Sequence, residues 1–332
     1  MKKLINQPDR VVEDMLAGMA AAYPEYIRLL PDLNVVVRAD APVKGKVALV
    51  SGGGSGHEPT HGGYVGRGML DAACAGNVFT SPTPDQVLAA IKAVDGGAGV
   101  LLVVKNYTGD IMNFDMAAEM AAAEGIETAS VVVNDDVAVE NSTWTQGRRG
   151  IAGTIFVHKI AGAKAQAGGS LSEVKAVAEK VIANVRSMGM ALTPCVVPAA
   201  GKPNFTLAED EMEIGMGIHG EPGTHREKIK PADEITAHLT EKVLNDLPFK
   251  SGDEVAVMVN GLGGTPLMEL FIVNKKVAAM LAERGIKVFR TYVGEFMTSL
   301  EMAGCSVTLL RLDEELKELL AAPADTPGFK QF

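Results

Sequence analysis

Residues 47–59 read VALVSGGGSGHEP. Residues 47–51 are a short apolar stretch that suits a buried strand. It runs into Gly52, Gly53 and Gly54, then Ser55, Gly56 and His57. Glycines at the end of a strand let backbone N–H groups face a ligand oxygen. In an open α/β sheet, ligands bind at the carboxyl ends of the strands. This stretch therefore predicts both a sheet and a site, with a glycine-rich loop leading to a histidine.

The surrounding pattern supports that reading. Residues 98–105 (AGVLLVVK) and 128–134 (TASVVVN) are continuous apolar runs, as strands buried on both faces are. Helical segments alternate with them at 11–23, 84–94, 110–124 and 171–188, the last with capping-box spacing of Ser170 and Glu173 and Gly189 as its stop. From about residue 189 the pattern changes. Residues 211–220 (EMEIGMGIHG) alternate strictly, which suits a half-buried strand. A helix follows at 232–247 and a strand at 254–260. A long helix is expected after Thr265 as cap and Pro266, then strands at 286–293 and 306–310. The expectation is α/β with two domains. Residues 1–188 would form a mostly parallel, Rossmann-like, three-layer sheet with helices on both faces, carrying the glycine-rich substrate loop. Residues 189–332 would form a two-layer α/β domain carrying a second histidine site.

Composition limits the alternatives. At 332 residues the chain exceeds the usual single domain, and 47% hydrophobic with 22% charged residues is ordinary for a soluble globular protein. A net charge of −10 argues against nucleic acid or an anionic membrane as the main partner. Three widely spaced cysteines, Cys74, Cys195 and Cys305, make neither a disulfide framework nor a zinc site. The first ten residues do not read as a signal peptide, and no window has the length and apolarity of a membrane span. A reducing cytoplasm is the expected home.

Several motif readings of the glycine stretch fail. A P-loop needs Gly-Lys-Ser/Thr, a dinucleotide fingerprint needs glycine at position 57, and a nucleophile elbow around Ser55 needs glycine there too. His57-Glu-Pro-Thr-His61 matches H-E-x-x-H, but zinc binding requires both histidines on one regular helix. Pro59 lies between them and fits better as the first residue of a helix starting after His57. His57 then reads as a general base beside a polar pocket, or as an ordinary loop histidine.

Lys105-Asn-Tyr-Thr-Gly-Asp110 follows the next buried strand, on the same sheet edge, so Lys105 and Asp110 are placed to converge on His57. Asp110 also reads as a helix cap. Ser81, in FTSPTP, faces the same pocket or starts the following helix. In residues 211–220, Met212, Ile214, Met216 and Ile218 share the core face, while Glu213, Gly215, Gly217 and His219 share the other. His219 there is either a satisfied structural histidine or a nucleophile toward a carbonyl carbon.

Taken in order, SGGGSGHEPTHGGYVGRGMLDAA, FTSPTPDQ, VKNYTGDIMNFDMAAE and MGIHGEPG resemble the dihydroxyacetone-binding subunits of dihydroxyacetone kinases, with no departure at the site positions. The resemblance implies that His219 holds dihydroxyacetone as a covalent hemiaminal. It implies that His57 is the base on the terminal hydroxyl and that Asp110 assists. It places Gly54, Ser55, Gly56, Ser81 and Lys105 against the substrate. No metal or cofactor is expected on this chain. No nucleotide motif is found, so the resemblance implies a separate kinase subunit carrying ADP/ATP with magnesium. That subunit would be recharged from phosphoenolpyruvate through a phosphotransferase-system phosphocarrier. A homodimer is likewise implied. The competing reading is a ketone sensor that co-activates a transcription regulator, which needs His219 more than His57 or Asp110.

Overall fold

A computed structural model describes residues 2–140 and 145–332. The first part contains α1 (Val11–Ala22), β1 (Ile27–Leu29), β2 (Val35–Arg38), β3 (Ala48–Ser55), β4 (Ala72–Val78) and α2 (Pro84–Val94). It continues with β5 (Val100–Lys105), α3 (Thr108–Ala123), β6 (Thr128–Val133), α4 (Thr154–Gln166) and α5 (Leu171–Asn184). The strands form one sheet in the order β1-β2-β4-β3-β5-β6. β4, β3, β5 and β6 are parallel, and β2 and β1 add an antiparallel edge. Alternate residues feed two apolar layers. Ala48, Val50, Leu102 and Val104 pack with α2 and α3, whereas Leu49, Leu101 and Val103 pack with α4 and α5. Every residue of β5 is buried, which is why its sequence is apolar without alternation.

The second part contains β7 (Val185–Ala191), β8 (Glu211–Ile214), β9 (His225–Lys228), α6 (Ala232–Asp246), β10 (Glu254–Gly261) and α7 (Leu267–Glu283). Then follow β11 (Lys287–Gly294), β12 (Gly304–Leu312), α8 (Glu314–Ala321) and the short pair β13 (Ala324–Asp325) and β14 (Lys330–Gln331). The second sheet runs β11-β10-β12-β7-β8-β9, and only its β10–β11 pair is parallel. Val255, Val257, Val307 and Leu309 pack against Leu239, Val243, Leu270 and Val277 of α6 and α7. The opposite face sends Ala256, Met258, Leu310 and Leu312 into the apolar cluster that contains α4 and α5. Both sheets therefore close on one shared core, a mixed α/β fold. Among the described residues no helix is long and apolar enough to cross a membrane.

Three local expectations are corrected. The helix expected over 171–188 ends at Asn184, because residues from Val185 are pulled into β7, where Gly189 pairs with Ser306 of β12. Its start is as read: Ser170 and Glu173 form the capping box. Thr265 does not cap α7. Its hydroxyl donates to the Gly304 carbonyl and accepts from the Gly304 N–H, and Pro266 holds the N-cap position. α4 was not anticipated. It is buried on nearly every side, so it lacks the polar face that makes a helix legible, and no side chain caps its start.

One buried charge cluster secures the edge of the first sheet. Asp71 accepts from Arg38 Nη1 at 2.9 Å, Lys46 Nζ at 2.7 Å and the Leu49 N–H at 2.8 Å. Removing the carboxylate leaves the buried Lys46 ammonium with only the Val47 carbonyl and Arg38 with only the exposed Asp40. Asp71→Ala is expected to lower unfolding stability by about 3–5 kcal/mol, read as a fall in the urea midpoint at unchanged slope. A loss near ~1 kcal/mol, the range of solvated pairs, would refute the assignment.

Candidate active site

The expected glycine loop is part of a strand. β3 carries Gly52, Gly53, Gly54 and Ser55 within the sheet. The reason is close approach rather than a turn. A Cβ on Gly52 would lie 2.7 Å from the Cys74 carbonyl oxygen on β4, and one on Gly54 would lie 2.5 Å from the Thr80 nitrogen. Bare backbone lets the segment leaving β4 fold over the end of β3. Ser55 is turned away into the structure, its hydroxyl donating to the Gly76 carbonyl at 2.7 Å. Gly56, at φ +103, makes the turn, and its N–H is taken by the Glu58 carboxylate.

Pro59 opens no α-helix. The chain passes through turns into one 3-10 turn, Gly62–Tyr64, held against the second sheet by Thr60 and Tyr64 hydroxyls that both donate to the Phe296 carbonyl. His57 and His61 consequently face different partners. His61 Nδ1 lies 3.0 Å from His158 Nε2 and 3.3 Å from Ser51 Oγ. His57 Nδ1 lies 2.8 Å from the Thr298 carbonyl. A carbonyl only accepts, so Nδ1 carries the proton and Nε2 keeps its lone pair. That Nε2 is buried without a hydrogen-bond partner. Burial first, then the charges of Lys105 and His219, hold the His57 pKa well below the ordinary histidine range. The ring stacks on Phe79 at 5.1 Å and meets the His219 ring edge-on at 4.8 Å between centroids.

β5 and α3 supply the next pair. Lys105 ends β5 wholly buried, its Nζ without a hydrogen-bond partner and 5.2 Å from the Tyr107 ring centroid. Burial lowers its pKa against the pull of Asp110 and Glu221. Asp110 is not the helix cap. Tyr107 occupies that position and Asp110 is the third residue of α3, 3% exposed, with Oδ1 unpartnered. Burial raises its pKa, opposed by Lys105, a Ser81 hydrogen bond and His219.

His219 arrives from the second sheet. The strand expected over 211–220 stops at Ile214, because Gly215 at φ +77 turns the chain. The alternation still marks the core: Met212, Ile214, Met216 and Ile218 are all buried. Glu221 clamps the turn, accepting from the His219 N–H at 2.6 Å through Oε2 and facing His219 Nδ1 at 2.8 Å through Oε1. Burial pushes the Glu221 carboxyl up, but His219 and Arg149 outweigh it and lower its pKa to about 2. As a carboxylate it can only accept, so His219 Nδ1 holds the proton and Nε2 is left as the free nitrogen. The His219 side chain is 16% exposed, at a cleft lined by Gly54, Phe79, Ser81, Tyr107, Asp110 and Asn113.

The structure thus brings His57, Asp110, His219, Gly54 and Ser81 together and sets Lys105 just behind them, while Ser55 and Gly56 spend their polar groups on the fold. Sequence reading missed Glu221, Tyr107, Phe79 and Thr298. Glu221 had a signal, an acid two residues after a histidine in a glycine turn. Thr298 had none, because only its backbone carbonyl acts. The arrangement sets a buried imidazole with an unpartnered Nε2 beside a second imidazole that reaches an open cleft.

Residues 17–328 match the Dak1 domain family. The dihydroxyacetone-binding subunit of the PTS-dependent dihydroxyacetone kinase 1 of Listeria innocua is 54% identical over 327 residues, covering 98% of this chain and 99% of that protein. The structure of the dihydroxyacetone kinase operon co-activator Dha-DhaQ superposes with a TM-score of 0.91 at 37% identity, covering 96% of this chain and 98% of the other. The dihydroxyacetone kinase from C. freundii, in complex with AMP-PNP and Mg2+, superposes with a TM-score of 0.90 at 38% identity, covering 99% of this chain and 61% of that one. A match spanning nearly the whole sequence, with both histidine motifs in one cleft, settles the family: the chain belongs to the Dak1 domain family.

Proposed function

We propose that this chain is the ketone-binding subunit of a dihydroxyacetone kinase, holding dihydroxyacetone as a hemiaminal on His219 while its terminal hydroxyl is phosphorylated to dihydroxyacetone phosphate. The observation that carries this reading is the pair of imidazoles 4.8 Å apart, each with an acceptor on Nδ1 and therefore a lone pair on Nε2. His219 Nε2 attacks the carbonyl carbon, and the C=O electron pair moves to oxygen. As the bond forms, Nδ1 gives up its proton on the Glu221 side, and that same proton, relayed through solvent, ends on the new hydroxyl, so neutral imidazole and neutral ketone give a neutral adduct and Glu221 remains a carboxylate. A covalent step of this kind selects a carbonyl and rejects glycerol, which has none.

Capture fixes the terminal hydroxyl for in-line attack. His57 Nε2 takes its proton as the phosphoryl group is transferred, with Asp110 assisting. The donor is ADP/ATP with magnesium on a separate nucleotide-binding kinase subunit, recharged from phosphoenolpyruvate through a phosphotransferase-system phosphocarrier in the cytoplasm. The PTS-dependent name of the Listeria relative and the AMP-PNP and Mg2+ of the C. freundii structure support that supply. This chain's part is to bind, orient and accept a proton.

A second copy of the chain is proposed to cover α7 and the edge strand β11. Leu267, Met268, Phe271 and Ile272 are 41–71% exposed on one side of α7, beside exposed Val288 and Phe289. An apolar patch next to an open strand edge is a pairing surface. Phe271→Glu is expected to convert a dimer into a monomer in light scattering. A wild-type chain that is monomeric at micromolar concentration contradicts this.

Two experiments test the chemistry. Intact mass spectrometry after incubation with dihydroxyacetone should reveal addition of the whole ketone without loss of water, absent in His219→Ala. Adduct on both proteins would make His219 structural. With the nucleotide subunit added, His57→Ala and Asp110→Asn should retain the adduct and lose on the order of 10²–10⁴ in phosphorylation rate. The fold match to the operon co-activator favours a second reading, a ketone sensor. Adduct without any phosphorylation by the wild type would select it.

A further inference from the structure

Arg149 lies outside every motif discussed so far, and its side chain is wholly buried. Nε donates to Asp136 Oδ2 at 2.8 Å, and Nη2 donates to the Gly215 carbonyl at 2.7 Å. Asp136 is itself held by the Ala138 N–H at 2.9 Å. Asp136 and Arg149 both follow β6, whereas Gly215 begins the turn that carries His219. The guanidinium therefore reaches from the first sheet's side to the root of the His219 turn.

Its third nitrogen faces something else. Nη1 is buried and without a hydrogen-bond partner. A Cβ built on Gly217 would fall 2.7 Å from Arg149 Nη1 and 2.2 Å from Glu221 Oε2. Gly217 is not in the left-handed region, so the position supplies missing volume rather than backbone freedom. Through that gap the buried cation looks onto the carboxylate that holds His219 Nδ1. The Tyr107 hydroxyl, also buried without a hydrogen-bond partner, belongs to a ring 4.8 Å from His219.

We propose that Arg149 is a positioning residue for His219: anchored by Asp136, it holds the Glu221 carboxylate in place across the Gly217 gap and so keeps the imidazole in the Nδ1–H form with Nε2 free. The proposal rests on the reading of His219 as the ketone-capturing residue. A carboxylate that can swing away would release His219 Nδ1 and allow the proton to move to Nε2, where it blocks attack on a carbonyl. Arg149 thus acts two groups away from the ketone. The other titratable groups packed around His219 are His57, Tyr107, Glu221 and Asp110, and none of them is substituted in the variants below.

Two variants separate positioning from simple support. Arg149→Lys keeps a cation for Asp136 but loses the fork that bonds Asp136 and Gly215 while turning Nη1 toward Glu221. Gly217→Ala places a methyl group 2.7 Å from Arg149 Nη1 and 2.2 Å from Glu221 Oε2, so the carboxylate must shift; an unchanged His219 tautomer there overturns the proposal even where the first variant fails to fold. Long-range ¹H–¹⁵N spectra of the ligand-free, histidine-labelled protein report the tautomer, with His219 signals identified by their loss in His219→Ala. The wild type should be Nδ1–H. Both variants should gain the Nε2–H form and retain dihydroxyacetone about tenfold less well, the scale of losing a histidine's orienting partner. Folded variants with the wild-type tautomer and wild-type ketone retention would overturn the proposal and leave Arg149 as a structural tie. Should the wild type capture no ketone, the reading of His219 fails, while the ligand-free spectra still decide the role of Arg149.

Discussion

The hydrogen bond from His57 Nδ1 to the Thr298 carbonyl joins the two sheets beside the cleft that His219 lines. It does not stand alone: the Leu300 N–H donates to the Gly56 carbonyl at 2.8 Å, and the Thr298 N–H to the His57 carbonyl at 3.2 Å. The loop before β12 is thereby laced to the turn after β3. That lacing buries the His57 ring, and the same carbonyl assigns its tautomer. Without it the ring would be solvated, its proton free to sit on either nitrogen, and the distance to His219 undefined.

Each reactive imidazole is set by an acceptor from elsewhere in the fold, but the acceptors differ in charge. Thr298 offers a neutral carbonyl, and His57 stays uncharged where it is buried. Glu221 offers a carboxylate, which fixes the proton of its imidazole on Nδ1. The division matches the two tasks proposed for them, proton removal for one ring and bond formation for the other. Phe79 lies beside both, stacked on His57 and edge-on to His219, each at 5.1 Å, so the three rings form a closed triangle.

Much of this was readable in the sequence because it depends on local rules. β5 and β6 declare themselves as apolar runs, and α2 begins where Thr83, Pro84 and Gln86 say it should, with the capping box in place. The polar residues that follow β3 and β5 fall on one sheet edge, which is how His57 and Asp110 could be paired beforehand. The failures are those of tertiary context. Glycines 52–54 signal a loop by composition, yet they sit inside a strand because β4 and the residues after it press on them. Residues 185–188 continue a helical pattern, yet pairing with β12 wins. Thr298 and Arg149 act through a backbone oxygen and through a guanidinium far from any motif, and neither leaves a mark in a single sequence.

The central apolar cluster draws Ala256, Met258, Leu310 and Leu312 from one sheet and Leu49, Leu101 and Phe156 from the other side, so one face of each sheet is packed with the help of the other. A substitution accepted on one side is filtered by the residues facing it. The two halves are therefore expected to drift through sequence change as a single unit of inheritance, and a half taken from one lineage would not seat against its counterpart from another.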